Sequence, residues 1–562
     1  MRHTTAVVNR IARIVYSSPA CIRRHQSTLP FRKQLKDEAK LRKAQRGLIN
    51  DKNPENDSGE DWELTVGLEI HAQLNSERKL FSSALTSITN ELNSHTGLFD
   101  LSIPGSQPLL QKTVLLPALR AAIALNCEIQ LESRFDRKHY FYHDQPAGYQ
   151  ITQYYAPLAK NGHVVLTQED GIAPEDYPEV RVGIKQVQLE QDTAKTIQQP
   201  PDDVLLDFNR VGHPLIEIIT LPHIHSPQTA SACVRKLQDI LESVNAVATG
   251  MELGGLRADA NLSVQQRNTV GECSYSGVLG LGQRTEIKNL SSFKAVEDAI
   301  IAERNRQIQT LEQGGKIEGE TRGWTLGSTE TKKLRGKEGE VDYRYLPDPD
   351  IPPLLLSGEL IEHLKHTLPA LPDQQTSYLI SSFDITMKDA KTLVSLDRGL
   401  RLDYLAEVFD ILAKLGHDSY KLGRTASNWT LHELGGLLST HSVPFEANPV
   451  SARALAEIIS NLQNEQINGS GAKTLLSLVF AGTERNIDQL IVEHNLKSRN
   501  FEADEYRTIA SQLLEQYPKM AQEIRNGKTG KLQWFVGQIM RASQGKMDAK
   551  TATDTLIELL GI

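Results

Sequence analysis

No two of the four cysteines in this 562-residue chain stand close together: Cys21, Cys127, Cys233 and Cys273 form no CxxC pair, and none neighbours a metal-spaced histidine. That argues against a disulfide framework or a cysteine-built zinc site, and reduced thiols fit a matrix- or cytosol-like compartment. No apolar run approaches the ~18 residues needed to span a bilayer, so membrane insertion is not expected. Excess positive charge is also lacking, with a net charge of −8. Any contact with RNA must therefore use a local basic face or shape rather than a bulk field. A conventional phosphate loop is missing too. Gly469-Ser470-Gly471-Ala472-Lys473-Thr474 imitates one, but the motif needs glycine directly before lysine and Ala472 stands there. No strand precedes it, and it reads as a turn leading into a helix.

What remains is a globular composition, 39% hydrophobic and 23% charged, in a chain long enough for about three to five domains. Residues 1–36 carry Arg2, Arg10, Arg13, Arg23, Arg24, Arg32, Lys33 and Lys36 and no acid. Wound as a helix, Val7, Ile11, Ile14 and Val15 share a side away from Arg10 and Arg13. This reads as a mitochondrial transit peptide, with a basic RNA-binding arm as the alternative. Residues 37–61 alternate charges and read as a solvated linker.

From Trp62 to Pro353 short alternating segments predict half-buried strands with helices between. Helices are predicted over Leu109–Leu125, over Ser226–Val244 opened by Ser226-Pro227, and over Ala295–Glu312, the last with a polar, exposed outer side. The run Asp348-Pro349-Asp350-Ile351-Pro352-Pro353 is a strong break. Beyond it helical periodicity dominates, as in Ser451–Leu462, Tyr506–Leu514 and Thr555–Leu560. Ala521–Lys550 holds six cations (Arg525, Lys528, Lys531, Arg541, Lys546, Lys550) against Glu523 and Asp548, with Trp534 and Phe535 among them. That is either an RNA-gripping face or a solvated helix with core aromatics.

Residues i and i+2 of a strand share a face. Glu69, His71 and Gln73 therefore share one; so do Gln186, Gln188, Glu190 and Asp192; so do Arg257, Asp259, Asn261 and Ser263; and so do Glu286 and Lys288. A sheet with one wet side explains any single strand. As a set, carboxylates with one imidazole suit Mg²⁺ or Mn²⁺, and Arg257 and Lys288 beside them suit phosphate oxygens. This is a metal–nucleotide platform for phosphoryl transfer, with the acceptor unnamed. Gly254-Gly255 before Arg257 would permit close backbone approach to a ligand.

Several long strings occur in a family's order: VGLEIHAQL (66–74), SRFDRKHYFYHDQPAGYQITQY (133–154), DFNRVGHPLIEI (207–218), MELGGLRADANLS (251–263), RTEIKNLSSF (284–293) and VDYRYLPDPDIPPL (341–354). They closely resemble the B subunit of glutamyl-tRNA(Gln) amidotransferase, and the resemblance covers nearly everything after residue 61. It implies an α+β fold: a glutamine-synthetase-like cradle domain (62–353), an all-α helical domain (354–495) and a small helical tail domain (496–562) that recognises tRNA. It also implies that ATP phosphorylates the γ-carboxylate of Glu-tRNA(Gln) and that ammonia from a separate glutaminase (amidase) partner, the A subunit of the complex, displaces the phosphate, in the mitochondrial matrix. No amidase-type Gly-x-Ser or Ser–Lys arrangement is evident in this chain, so the ammonia must come from that partner. A small third subunit would accompany the pair.

Carried over by motif, Glu69, His71, Glu190 and Asp259 would hold Mg²⁺. Glu286 and Lys288 would line the same site, Arg257 would face the nucleotide, and Lys138 and Tyr140 would approach the aminoacyl end or the nucleotide. Bacterial relatives carry zinc-binding cysteines near Ser82–Ala84 and Gly97–Asp100. This chain has none there, so no zinc is expected. Where the family has a second acid after Glu190, Gln191 stands here, leaving Asp192 as a fallback ligand. A non-catalytic tRNA-binding scaffold and a stand-alone carboxylate–amine ligase are the competing readings.

Overall fold

A computed structural model describes residues 61–86, 91–199, 203–266, 282–336, 343–482, 486–497, 502–525, 529–543 and 547–561. The expected transit peptide, nearly all of the linker, and Lys528 and Lys546 of the basic tail lie outside the described residues. The fold is α+β, in two compact units that meet at Leu371–Pro372. The expected break after Pro353 precedes this division. Strand Leu354–Leu355 still pairs with Glu132–Ser133, and Leu364 of the next helix joins the first unit's core.

The first unit is built on a nine-stranded sheet. In chain order its strands and those of the smaller sheets are β1 (Trp62–Gln73), β2 (Glu128–Ile129), β3 (Glu132–Ser133), β4 (Asp136–His139), β5 (Tyr149–Thr152), β6 (Ala159–Thr167), β7 (Glu179–Gln191), β8 (Lys195–Gln199), β9 (Asp203–Asp207), β10 (Pro214–Thr220), β11 (Leu256–Gln266), β12 (Thr285–Leu290), β13 (Glu320–Gly323), β14 (Lys332–Gly336), β15 (Leu346–Pro347) and β16 (Leu354–Leu355). The large sheet runs β14-β13-β12-β11-β1-β10-β7-β6-β2 and is antiparallel apart from the β12–β13 pair. Alternation does the sorting: Val66, Leu68, Ile70 and Ala72 of β1 are fully buried on one face, and Glu69 and His71 look out of the other.

Helices α1 (Leu115–Ala124), α2 (Pro227–Ser243), α3 (Phe293–Glu312) and α4 (Gly358–His366) belong to this unit, and α2 and α3 cover the apolar face. Proline at the first position of α2 needs no N–H there. Ala230, Val234, Leu237 and Leu241 then recur at helical spacing and are buried. The helix predicted from Leu109 begins only at Leu115, because the Leu109 N–H is bonded to the Phe81 carbonyl and the Gln111 N–H to that of Leu80. α3 exposes a polar side through Lys294, Asn305 and Gln309, as expected, but not all of its polar residues face solvent. Its Glu303 and Gln307 are fully buried, and the Glu303 carboxylate accepts from Thr285, Arg306 and Thr331 at 2.9, 2.7 and 2.6 Å. Burying a charge so deeply is tolerable only with such complete pairing.

Ser82 and Asp100, from the two segments that hold no cysteine, are tied together. Lys79, fully buried, donates to Asp100 Oδ2 at 3.1 Å and to the Phe208 carbonyl at 3.2 Å. The Ser82 hydroxyl and the Gly97 N–H reach the same carboxylate oxygen at 2.9 and 2.8 Å. Burial lowers the Lys79 pKa, with Asp100 opposing that change.

The second unit is helical among its described residues. One core gathers Leu405, Leu412, Leu434, Leu455, Ile459 and Leu475. A separate, smaller one gathers Tyr506, Ile524, Phe535, Ile539 and Leu556 from four C-terminal helices. Phe535 of the tail's aromatic pair is therefore core, whereas Trp534 is 37% exposed beside Tyr517. The Gly469–Phe480 helix starts inside the phosphate-loop look-alike, capped by Asn468, whose side chain accepts from the Gly471 N–H. Among the described residues no helix is long and apolar enough to cross a membrane.

Candidate active site

The register of the large sheet turns four sequence patterns into one surface. Glu69 lies directly opposite Asp259, and His71 lies between Arg257 on one side and Glu217 on the other. Glu217 in turn faces Gln188, and Asn261 faces Glu286. Between β11 and β12 the register shifts, and Asn289 adopts a left-handed φ of 61°. Its N–H then donates to Asp259 Oδ1 at 2.8 Å. Bulges of this kind re-aim side chains beside active sites.

This face is not a wet sheet surface. Gln186, Gln188, Glu190, Glu217, Asp259 and Glu286 are all buried. A small sheet, β15-β4-β5, covers part of it, with Thr152 of β5 bonded to the Gln188 amide at 3.2 Å. Lys138 of β4 reaches in, its Nζ 3.9 Å from Glu190 Oε2, and His71 Nδ1 lies 3.6 Å from Glu190 Oε1. Lys288 bridges Asp259 at 3.3 Å and Glu286 at 3.0 Å. The Asn261 amide holds Glu69 at 2.8 Å, and the Thr321 hydroxyl holds Glu286 at 2.9 Å.

Every residue singled out in the sequence comes to this place: Glu69, His71, Glu190, Arg257, Asp259, Glu286 and Lys288 on the large sheet, and Lys138 and Tyr140 from the small one. Tyr140 donates to the Gln150 amide oxygen at 3.1 Å. Arg257 is held by Asp192 at 3.4 Å, and Arg210 lies 3.7 Å from the same carboxylate. Asp192 thus anchors cations. Gln191, by contrast, accepts from the Ile151 N–H at 3.5 Å. Gly254 and Gly255 serve the chain itself: Gly254 has a φ of 79°, and a Cβ on Gly255 would lie 2.5 Å from the Thr249 carbonyl oxygen.

Glu217 escaped the sequence reading. It is the lone acid in Pro214-Leu215-Ile216-Glu217-Ile218-Ile219-Thr220, which looks like a plain buried strand. An unpaired carboxylate inside such a run was the available signal.

The electrostatics ask for a cation. Burial, then Glu190 and Glu69, push the Glu217 carboxyl well above the usual range. Glu190 is driven the other way: burial would raise it, but the Lys138 ammonium beside it holds it below its ordinary value. Burial and Arg257 lower His71, leaving a neutral imidazole. Burial opposes the charge on Lys138, but Glu190 and Glu217 outweigh it and raise that lysine strongly. His71 Nδ1 and Glu190 Oε2 are buried without a hydrogen-bond partner. Glu69, His71 and Glu217 each bring one ligand atom within 4.8 Å of the others, as do Glu69, Asp259 and Glu286. A hard divalent ion fits oxygen ligands with one neutral imidazole. In the second set the Lys288 ammonium already pairs with both Asp259 and Glu286 and offsets one of their two charges.

Residues 64–362 match the model of the GatB/GatE catalytic domain, and residues 407–560 match that of the GatB domain. The chain belongs to the GatB/GatE family. Its relatives include fungal proteins named as the mitochondrial B subunit of glutamyl-tRNA(Gln) amidotransferase. The one from Aspergillus fumigatus is 57% identical over 556 residues, covering 96% of this chain and 92% of that protein. The Neosartorya fischeri protein is 58% identical with the same coverage. The one from Aspergillus oryzae is 58% identical over 544 residues, 95% of this chain and 91% of that protein. The family's catalytic-domain match spans the whole polar face described above, from Glu69 to Lys288.

Proposed function

We propose that this chain is the subunit of a mitochondrial-matrix amidotransferase that activates glutamate carried on tRNA(Gln), using ATP, and completes its amidation. The observation that carries the reading is the single buried face joining Glu69, His71, Glu190, Glu217, Asp259 and Glu286 with Lys138, Arg257 and Lys288. A carboxylate oxygen is a poor leaving group and phosphate is a good one. In the proposed step a γ-carboxylate oxygen of the glutamate attacks the γ-phosphorus of ATP, and ADP departs. Ammonia from a partner glutaminase then adds to the acyl carbon, loses a proton, and expels phosphate with the original carboxylate oxygen.

Glu69, His71 and Glu217, with Glu190 adjacent, would hold Mg²⁺, which neutralises phosphate charge when bound. Lys138, Arg257 and Lys288 offer fixed cations to the moving phosphoryl group, in a site where burial strengthens them. Asn261, Asn289 and Thr321 hold the carboxylates in place, so little reorganisation is needed during transfer. Trp534 and the basic C-terminal helices would grip the tRNA body through its phosphates.

The test is isotopic. Glu-tRNA(Gln) carrying heavy oxygen in its γ-carboxylate is converted by the complex with ATP and glutamine. Heavy oxygen in the released phosphate is expected. Its absence from phosphate, with Gln-tRNA still formed, would sink the acyl-phosphate route. A complex that binds tRNA but forms no ADP would favour the scaffold reading.

A further inference from the structure

Beside the carboxylate face lies an unusual collection of aromatic rings. Tyr140 and Tyr142 follow β4, Tyr154 and Tyr155 follow β5, Tyr343 and Tyr345 precede β15, and ring contacts link all six across the small sheet. Tyr154 and Tyr345 are stacked, with centroids 4.0 Å apart and planes 8° from parallel. Tyr155 stands edge-on to Tyr154 at 5.0 Å, and Tyr343 joins Tyr345 to Tyr140 at 6.0 and 6.4 Å. Ring packing alone would hide these side chains. Instead Tyr155 is 62% exposed, Tyr142 51% and Tyr154 44%. Clustered exposed aromatic surface of this kind marks a binding site in soluble proteins.

The cluster is also held rigidly. The buried Asp136 carboxylate accepts from the N–H groups of both Tyr154 and Tyr155, at 2.9 and 3.0 Å, which fixes the bend that carries those rings. Arg137 ties the opposite strand through Asp348 and Asp350 at 2.7 and 2.9 Å. Arg344, between Tyr343 and Tyr345, adopts a left-handed φ of 44°, a conformation that a bulky residue keeps only where its surroundings impose it. Lys138 links the rings to the reaction face: its Nζ lies 5.1 Å from the Tyr343 ring and 3.9 Å from Glu190.

We propose that Tyr154 and Tyr155, supported by Tyr345, form a stacking shelf for an adenine base whose attached charged end enters the carboxylate face past Lys138. The ligand that fits is flat and π-rich at one end and anionic or reactive at the other. ATP and the terminal adenosine of aminoacyl-tRNA share that chemistry. The inference rests on the proposed function, and it adds residues to which no role in that reaction has been assigned.

The test uses the full complex and two probes. One is a non-hydrolysable ATP analogue with Mg²⁺. The other is uncharged tRNA, with and without its 3′-terminal adenosine. Tyr154→Ala and Tyr155→Ala are expected to weaken one arm about tenfold, the scale of a lost base–aromatic stack. That arm is either nucleotide affinity or the gain in affinity given by the terminal adenosine, and it identifies the source. Tyr155→Phe should bind as the wild type does. Tyr154→Leu and Tyr155→Leu keep apolar bulk without a π face and should behave like alanine, even if the alanine variants fail to fold. Leucine variants that bind both probes as tightly as the wild type would overturn the shelf. Both probes report binding, so a failure of the phosphoryl-transfer reading would show in turnover alone.

Discussion

Removing Asp100 should be among the most damaging single changes to the first unit, although it lies in no catalytic role. Its carboxylate is 1% exposed and faces the fully buried ammonium of Lys79 at 3.1 Å. At an effective dielectric constant of about 20, two unit charges at that distance attract by about 5 kcal/mol. The same oxygen also accepts from Ser82 and Gly97. Asp100→Ala leaves a buried cation and two donors unpaired, so it should cost about 3–5 kcal/mol. Asp100→Asn keeps an acceptor and should cost about 2 kcal/mol. The double variant Lys79→Met/Asp100→Leu removes both charges and should recover at least about half of the alanine loss. Chemical denaturation, followed by fluorescence at low and high salt, measures all three. A buried pair is screened little, so the ranking should not change with salt. An Asp100→Ala cost below about 1 kcal/mol would refute the claim that this pair holds the segment.

Three further outcomes are expected. Gly423→Ala should unfold or severely loosen the helical unit, because the added Cβ would run into the Phe383 carbonyl oxygen; an unchanged melting temperature would contradict that close approach. Burial, with Glu242, raises Asp239 on α2 to about 7, so its stabilising protonated form is complete below about pH 4 and lost as pH rises to 7. Asp239→Asn should therefore stabilise the protein by about 1–2 kcal/mol at pH 8 and leave it nearly unchanged at pH 4; equal effects at both would show the shift to be wrong. Deleting residues after 495 should weaken tRNA affinity at least about tenfold and flatten its salt dependence, with the first unit still folded; unchanged affinity would remove the tail from tRNA binding.

The polar strand faces were legible because a two-residue period needs no tertiary knowledge: Glu69 and His71, or Asp259 and Asn261, must share a side wherever the strand lies. The order β11-β1-β10-β7 was not legible, and it alone puts Glu217 beside His71. A single acid flanked by isoleucines gives no alternation to detect. The buried polar pair of α3 was hidden for a related reason. Glu303 and Gln307 look like solvent residues on a helix, and Thr285, Arg322 and Thr331, distant along the chain, join Arg306 in making their burial tolerable. Proline-rich sequence marks a break in regular structure, whereas a compact unit ends where its core contacts end, here at Leu371. The tyrosine shelf was scattered over three segments, 140–142, 154–155 and 343–345, and only the pairing of β4 with β5 and β15 unites them.

ADP formation by the assembled complex, with and without Glu-tRNA(Gln) and Mg²⁺, compared between the wild type and Asp259→Asn, tests the phosphoryl-transfer role most directly. Asp259 lies opposite Glu69, accepts from Asn289 and pairs with Lys288, so asparagine keeps the shape and removes the charge. The predicted result is tRNA- and Mg²⁺-dependent ADP formation that falls at least about 100-fold in the variant while tRNA binding is retained. Equal rates in the two proteins, or no tRNA-dependent ADP from a wild-type complex that binds tRNA, would contradict the assignment of this face to phosphoryl transfer.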